Sequence, residues 1–329
     1  MPGLLERFLR YAEFDTTSDE SSGTSPSTPG QTRFLGILRD ELISLGMTGV
    51  FLGEEGVLYA SVPGGTGSTP LGLIAHVDTS PEAPGAGVKP ILHENWDGSP
   101  IRLEGGVVID PAECADMRRY LGATIVTSDG RTLLGVDDKA GVAIIMDICS
   151  LLASDPSIPH PPLSVAFTPD EEIGRGVDHF DIGRFGARFA YTIDGGPVGE
   201  VETQTFNASS ADWTFKGRQV HPGSAAGILA NSLRAACDAV SMLRAEEMPE
   251  NSTGMQGYDY PMSLSGNASE SRLRMILRDF DGDGLERRKM RLRSIAEAVR
   301  ARHPGVQVSL DIRDQYRNPG EILNRDRRL

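Results

Sequence analysis

Four short stretches hold the residues best suited to acid–base or metal chemistry: His76-x-Asp78, the pair Asp137-Asp138, the triplet Asp170-Glu171-Glu172, and Asp194. Residues 76 and 78 of an extended segment project to one side, so the Asp78 carboxylate can hold the imidazole by one nitrogen and leave the other free for a metal. Asp137-Asp138 opens a stretch of helical spacing that runs from 139 to about 153. An acid in that place either caps the helix through its exposed N–H groups or binds a metal, and the residues alone leave both open.

The elements that must position these groups are apolar runs. Residues 71–75, 163–167 and 189–193 each read as a strand, the first of them of the kind buried on both faces, and each ends in one of the acidic or histidine clusters. In an open α/β sheet, ligands sit at the carboxyl ends of strands, so four clusters placed at or just beyond such ends point to one site. A single imidazole among several carboxylates suits zinc, cobalt or manganese better than an iron–sulfur cluster or calcium. Before this region, Leu4, Leu5, Phe8, Leu9 and Ala12 follow helical spacing. A loop rich in Ser, Thr, Gly and Pro covers 18–32, and Phe34 to Leu45 mark a second helix ahead of two short strands at 49–52 and 58–62. The glycine-rich stretch 64–70 precedes a strand and reads as a turn, not a phosphate cradle. Residues 81–122 form a long excursion, in which His93 reads as a loop or surface histidine.

From Phe206 the pattern changes to a strand (212–216), a helix (224–244), two strands (262–265 and 272–279), a basic helix (284–302) and a last strand (306–312). The order β-α-β-β-α-β is that of a ferredoxin-like sandwich. The fold class expected is therefore α/β, with a mixed sheet flanked by helices in a catalytic domain at 1–205 and a small domain at 206–316, after which 317–329 start a return to the first. The Arg/Lys run at 287–293 reads as the solvated face of the basic helix.

The formal net charge of −14 over 329 residues argues against nucleic acid or an anionic membrane as partner. Three scattered cysteines, Cys114, Cys149 and Cys237, indicate neither a disulfide framework nor a thiolate zinc site. With no basic, apolar start and no long apolar window, the chain reads as cytoplasmic. The N-x-S/T triplets at Asn207, Asn251 and Asn267 are then chance matches.

The longer strings resemble the peptidase T family, tripeptide aminopeptidases of the two-zinc superfamily that also holds aminoacylases and bacterial carboxypeptidases. They are HVDTSP at 76–81, TLLGVDDKAG at 132–141, FTPDEEIGRG at 167–176, YTIDGGPVGE at 191–200, VHPGSA at 220–225 and LRDFD at 277–281. The resemblance implies that Asp137 bridges two zinc ions, with cobalt or manganese as substitutes, that His76 and Asp194 complete the first site, and that Glu172 binds the second. It implies Glu171 as general base, Asp78 as the residue orienting His76, and a cis peptide between Asp137 and Asp138. His221 matches a histidine that stabilises the tetrahedral oxyanion, either in a closed enzyme or across a homodimer formed through the small domain. Arg278 and Asn207 match positions that contact substrate, and Asp178, just after the Glu-Glu loop, is a candidate partner for a substrate ammonium group.

The resemblance breaks after Tyr316-Arg317-Asn318. The family's chain returns to its catalytic domain with a last histidine ligand for the second metal and an Arg-Gly-Gly-Thr-Asp-Gly loop; this sequence has neither before Leu329, and His303 does not match the ligand. Strands and helices removed from such a sheet would bare apolar area worth about 25 cal/mol per Å² and open an edge. Three functions are compatible with these residues: removal of the N-terminal residue from tripeptides, a non-catalytic remnant that binds metal or peptide, and an N-acyl amino-acid deacylase or carboxypeptidase using the same chemistry.

Overall fold

Helical spacing at the start of the chain produces α1 (Leu4–Ala12) and α2 (Pro29–Ser44), which bury Phe8, Tyr11, Phe34, Leu35, Leu38 and Leu42 in one core. The computed structural model describes residues 3–65 and 69–325. Positions 66–68 of the glycine-rich turn and 326–329 of the expected return segment lie outside the described residues. The chain divides into two compact units, Met1–Val198 and Gly199–Leu329.

In the first unit, α2 is followed by β1 (Thr48–Leu52), β2 (Leu58–Val62) and β3 (Leu71–His76). The excursion carries two small antiparallel pairs, β4 (Ile91–His93) with β7 (Ile125–Thr127) and β5 (Ile101–Arg102) with β6 (Val108–Ile109). His93 is thus part of a strand and shares a 3.0 Å hydrogen bond with Thr127 Oγ1. Then come α3 (Val136–Ser154), β8 (Leu163–Thr168), the single turn α4 (Ile182–Phe185) and β9 (Phe189–Thr192). The sheet order is β1-β2-β8-β3-β9, with β3 parallel to both β8 and β9. All of β8 is buried, as an unbroken apolar run between two covered faces requires. The register aligns His76 with Thr168 and Ile74 with Thr192, so the residues just past all three strands emerge at one edge.

The second unit contains β10 (Asn207–Lys216), α5 (Ser232–Ser241), β11 (Tyr258–Gly266), β12 (Glu270–Asp279), α6 (Gly282–Arg302), β13 (Gln307–Tyr316) and the single turn α7 (Gly320–Leu323). Its sheet order, β11-β12-β10-β13, is antiparallel throughout and is that of the expected ferredoxin-like sandwich. Trp213, Phe215, Leu273, Leu277, Leu292 and Val299 fill the core under the two long helices. No helix among the described residues is long and apolar enough to cross a membrane.

Two local expectations change. The helix read at 224–244 starts only at Ser232, because Gly227 adopts a left-handed conformation (φ 72°) and the Asn231 side chain caps the Leu233 and Arg234 N–H groups. The run at 287–293 is not a solvated face throughout. Arg288 and Lys289 are buried, and Arg288 binds Asp259 (3.1 Å), Glu247 (2.9 Å) and Asp279 (2.8 Å), while Arg291 binds Asp259 (2.5 Å) and Glu247. These pairs fasten α6 to β11 and β12. Asp259 is 1% exposed and faces two guanidiniums, so its loss removes one acid from each and leaves Arg288 with Glu247 and Asp279 and Arg291 with Glu247. Asp259→Ala is expected to destabilise the second unit by about 3 kcal/mol, measured by urea unfolding followed on Trp213 fluorescence in a Trp96→Phe background.

Candidate metal centre

The end of β3 supplies the imidazole. His76 is 2% exposed, its Nδ1 lies 3.2 Å from Asp78 Oδ1, and its Nε2 lies 2.9 Å from Asp137 Oδ1. The same Nε2 is 3.9 Å from Asp194 Oδ1 and 4.0 Å from Glu171 Oε2. Among the described residues, His76, Asp137 and Asp194 form the group whose ligand atoms all lie within 4.8 Å of one another.

Each acid arrives by a different local device. Asp137 (φ −84°, ψ 106°) and Asp138 (φ −120°, ψ 35°) depart from helical geometry at the start of α3, and the peptide joining them is cis. The two readings open for this pair are divided between its members. Asp138 caps, accepting from Gly141 N at 3.0 Å and from His76 N at 3.2 Å, while Asp137 turns to the imidazole. Gly141 allows this, since a Cβ there would meet the Ile193 carbonyl at 1.8 Å and Asp138 Oδ1 at 2.3 Å. Its absence lets α3 approach the end of β9 and bring Asp194 beside Asp137. Beyond β8, Glu171 N and Glu172 N donate to Asp78 Oδ1 (3.0 Å) and Oδ2 (3.1 Å), so Asp78 orients both the imidazole and the Glu-Glu loop.

The electrostatics follow from crowding. Burial alone would lower the His76 pKa, but hydrogen bonds to Asp137 and Asp78 and the charges of Asp78 and Asp138 outweigh it and carry it up to about 11. Burial pushes Asp138 up to about 8 despite His76 and two backbone N–H groups. Burial and then the Asp137 charge push Glu172 up to about 7. Glu171 is raised first by burial, with the charge of Asp194 adding to it. Of the coupled pair, Asp137 is held low, first by its hydrogen bond to His76, and Asp194 is raised by burial and by the charge of Asp137.

This donor set fits a divalent cation. It offers one imidazole nitrogen whose partner nitrogen is fixed by a carboxylate, with acids whose mutual repulsion a cation would relieve. Glu172 stands outside the three-residue group, within the field of Asp137.

Of the remaining sequence candidates, Asp178 is exposed on the loop after Glu172, its N–H donating to Arg175 O at 3.0 Å. The others belong to the second unit. His221 is exposed, its Nδ1 accepting from Gly223 N at 3.1 Å across a single 3-10 turn. Arg278 is half-buried and donates to Gln315 Oε1 and Leu277 O, both at 3.0 Å. Asn207 is 3% exposed, and its amide is engaged inside its own unit with the Asp279 and Phe280 carbonyls and Asn318 N. Capping was one of the two readings open for Asp137-Asp138 and falls to Asp138, while the complete burial of Asp170 escaped the sequence reading. The only signal for Asp170 was that it adjoins a candidate ligand in an acidic string.

A sequence-family description of a peptidase dimerisation domain matches residues 203–304. The chain is 44% identical over 324 residues to peptidase T of Geobacillus sp. (strain WCH70), covering 97% of this chain and 79% of that one. It is 42% identical over 320 residues to peptidase T of Clostridium perfringens (strain 13 / Type A), with the same coverage of both. Its fold is like that of a tripeptidase from Staphylococcus aureus subsp. aureus mu50 (TM-score 0.73, 20% identity, 96% of this chain and 76% of that chain). It is also like that of aminopeptidase PepT from Bacillus cereus ATCC 10987 (TM-score 0.71, 18% identity, 96% and 76%).

The raised acids set the pH response of the metal-free protein. A carboxyl whose folded pKa exceeds its unfolded value binds more protons when folded, so its contribution is present below about pH 4 and is lost as pH rises toward the folded values of about 7 for Glu172 and about 8 for Asp138. Metal-free protein is therefore expected to lose thermal stability between about pH 4 and about pH 8. Zinc or cobalt at about 100 times its Kd should restore about 2.7 kcal/mol. Calorimetry at pH 6 and pH 8, with and without metal, checks both, and at one fixed metal concentration the metal-induced rise in Tm should be larger at pH 8, where protons compete less.

Proposed function

Because the chain belongs to the peptidase T family, we propose that it removes the N-terminal residue from tripeptides in a divalent-metal-dependent hydrolysis centred on His76. The observation that carries this reading is the gathering of Asp137, Asp194 and Glu171 within 4.0 Å of one imidazole nitrogen. His76, Asp137 and Asp194 would hold one ion, and Asp137 with Glu172 a second; zinc is the first choice for such donors, with cobalt or manganese as alternatives. When bound, two such cations supply Lewis acidity toward a water and toward the scissile carbonyl.

The chain's own residues do the rest. Asp78 fixes the His76 ring through Nδ1, leaving Nε2 for a ligand, and holds the backbone of Glu171 and Glu172 through both its oxygens. The raised pKa of Glu171 suits it to take a proton from the attacking water and return it to the leaving amine. Asp178, exposed beside this loop, is the acid offered to the substrate ammonium group. The dimerisation-domain match of the second unit supports association of two copies through that unit.

The purified 329-residue protein with zinc or cobalt is expected to cleave a free-amino tripeptide and to leave its N-acetylated form intact. Chelator should abolish turnover, and Glu171→Gln should lower kcat by about 10²–10⁴-fold. Failure to cleave any tripeptide with either metal supplied would sink the reading; cleavage of the acetylated form in its place would redirect it to a deacylase.

A further inference from the structure

The segment between α1 and α2 has no task in the mechanism above, yet it touches three of the four chain segments that carry candidate ligands, those at the end of β3, in α3 and beyond β8. Near α3, the buried Lys139 Nζ donates to the Phe14 carbonyl at 2.5 Å. Beyond β3, Thr17 bridges Thr79, Ser18 N donates to Thr79 O (3.1 Å), and Thr79 N donates to Thr16 O (3.2 Å). Beyond β8, the Asp170 carboxylate accepts from Ser27 N (2.8 Å), Ser27 Oγ (2.5 Å) and Gln31 Nε2 (2.7 Å), and Asp170 N donates in return to Gln31 Oε1 (3.1 Å). Arg175 ties the other end of that loop to the same segment, donating to Ser22 O (2.8 Å) and Glu20 O (3.1 Å).

We propose that Ser27, Gln31 and Asp170 form a positioning clamp that fixes the loop at 169–176 and so aims the Glu171 carboxyl at the His76 cluster. The proposal rests on the reading of Glu171 as the proton-transferring base. Three observations converge on it. Asp170 is 0% exposed, and a carboxylate so buried is tolerated only where several donors meet it, which leaves the loop one low-energy placement. Its φ of 58° lies in the left-handed region, which Asp enters more readily than most residues with a side chain, and the reciprocal bonds to Ser27 and Gln31 are made in that conformation. The following two N–H groups are held by Asp78, so the backbone of Glu171 is gripped from the strap on one side and from β3 on the other. The Glu171 side chain itself stays 54% exposed. Its direction is therefore set through its backbone, not by packing of its own atoms.

Gln31→Leu removes both reciprocal bonds at similar volume, and Ser27→Ala removes one donor while Ser27→Thr keeps it. In the full chain saturated with metal, Gln31→Leu is expected to lower kcat about 10–100-fold, as misplacement of a reacting group does, with KM as in the unaltered protein. Amide exchange across 169–176 should accelerate about tenfold or more, while β10 of the second unit keeps its protection. Ser27→Ala should show the same two effects at smaller size and Ser27→Thr should lack them; these carry the measurement if Gln31→Leu does not fold. Unchanged protection of 169–176 overturns the clamp. Faster exchange with kcat unaltered overturns its link to Glu171. If the unaltered chain cleaves no peptide, the functional reading falls by itself, and the exchange data still decide whether the clamp holds the loop.

Discussion

The structure of the first unit is governed by the cost of gathering like charges. Around His76 Nε2 stand Asp137, Asp194 and Glu171, with Glu172 and the buried Asp138 within their field. Left alone, such groups repel, take up protons or move apart. What prevents the last is backbone: parallel register brings three strand ends to one edge, and the missing side chain at Gly141 admits α3 beside them. Proton uptake remains as the response of the metal-free molecule, and a divalent cation is the alternative that lets every acid ionise. Metal and proton therefore compete for the same site.

The second unit treats charge in the opposite manner. Arg288, buried, and Arg291, half-buried, sit on α6 against Asp259, Glu247 and Asp279, so each positive group meets acids and the assembly serves to join a helix to a sheet. Both arrangements occur in one acidic chain. In the first unit Arg7 and Arg10 pair with Glu41, but among the described residues the acids gathered around His76 Nε2 pair with the imidazole and with no Lys or Arg, and that difference in pairing, more than the number of acids, separates a site built for a ligand from a structural network.

Much of this was legible in the sequence because it is local. The apolar runs ending in His76, Thr168 and Thr192 announced strands, of which β3 and β8 are buried while β9, at the sheet edge, is largely exposed, and the position of the acids just past them announced the edge at which they would meet. The ferredoxin-like order of the second unit was equally plain. What could not be read depends on partners far away in the chain. Asp170 is defined by Gln31 and Ser27, some 140 residues earlier, and nothing adjacent to it marks it as buried. Arg288 looked solvated because the acids that bury it lie on other elements. The late start of α5 was different: the Asn231 cap was present in the sequence but was masked by helix-forming residues on both sides.

Burial sorts the acids of the first unit by task. Asp78, Asp138 and Asp170 are 0%, 1% and 0% exposed, and each carboxylate accepts from at least one backbone N–H, with side-chain donors from Ser27 and Gln31 added at Asp170. The side chains of Asp137, Glu171 and Asp194 are 65%, 54% and 32% exposed and face the cluster. A ligand or base must be reachable by cation, water and substrate, and so cannot be immobilised by packing around its own carboxyl. An orienting acid must be immobile, and donors in a buried place make it so. Setting the two kinds next to each other in sequence, as in Asp137-Asp138 and Asp170-Glu171, lets the rigidity of one be inherited by the other through a single peptide unit. On this view the strings of adjacent acids are not redundancy in a metal site. They are pairs in which the buried member fixes the backbone from which the exposed member acts.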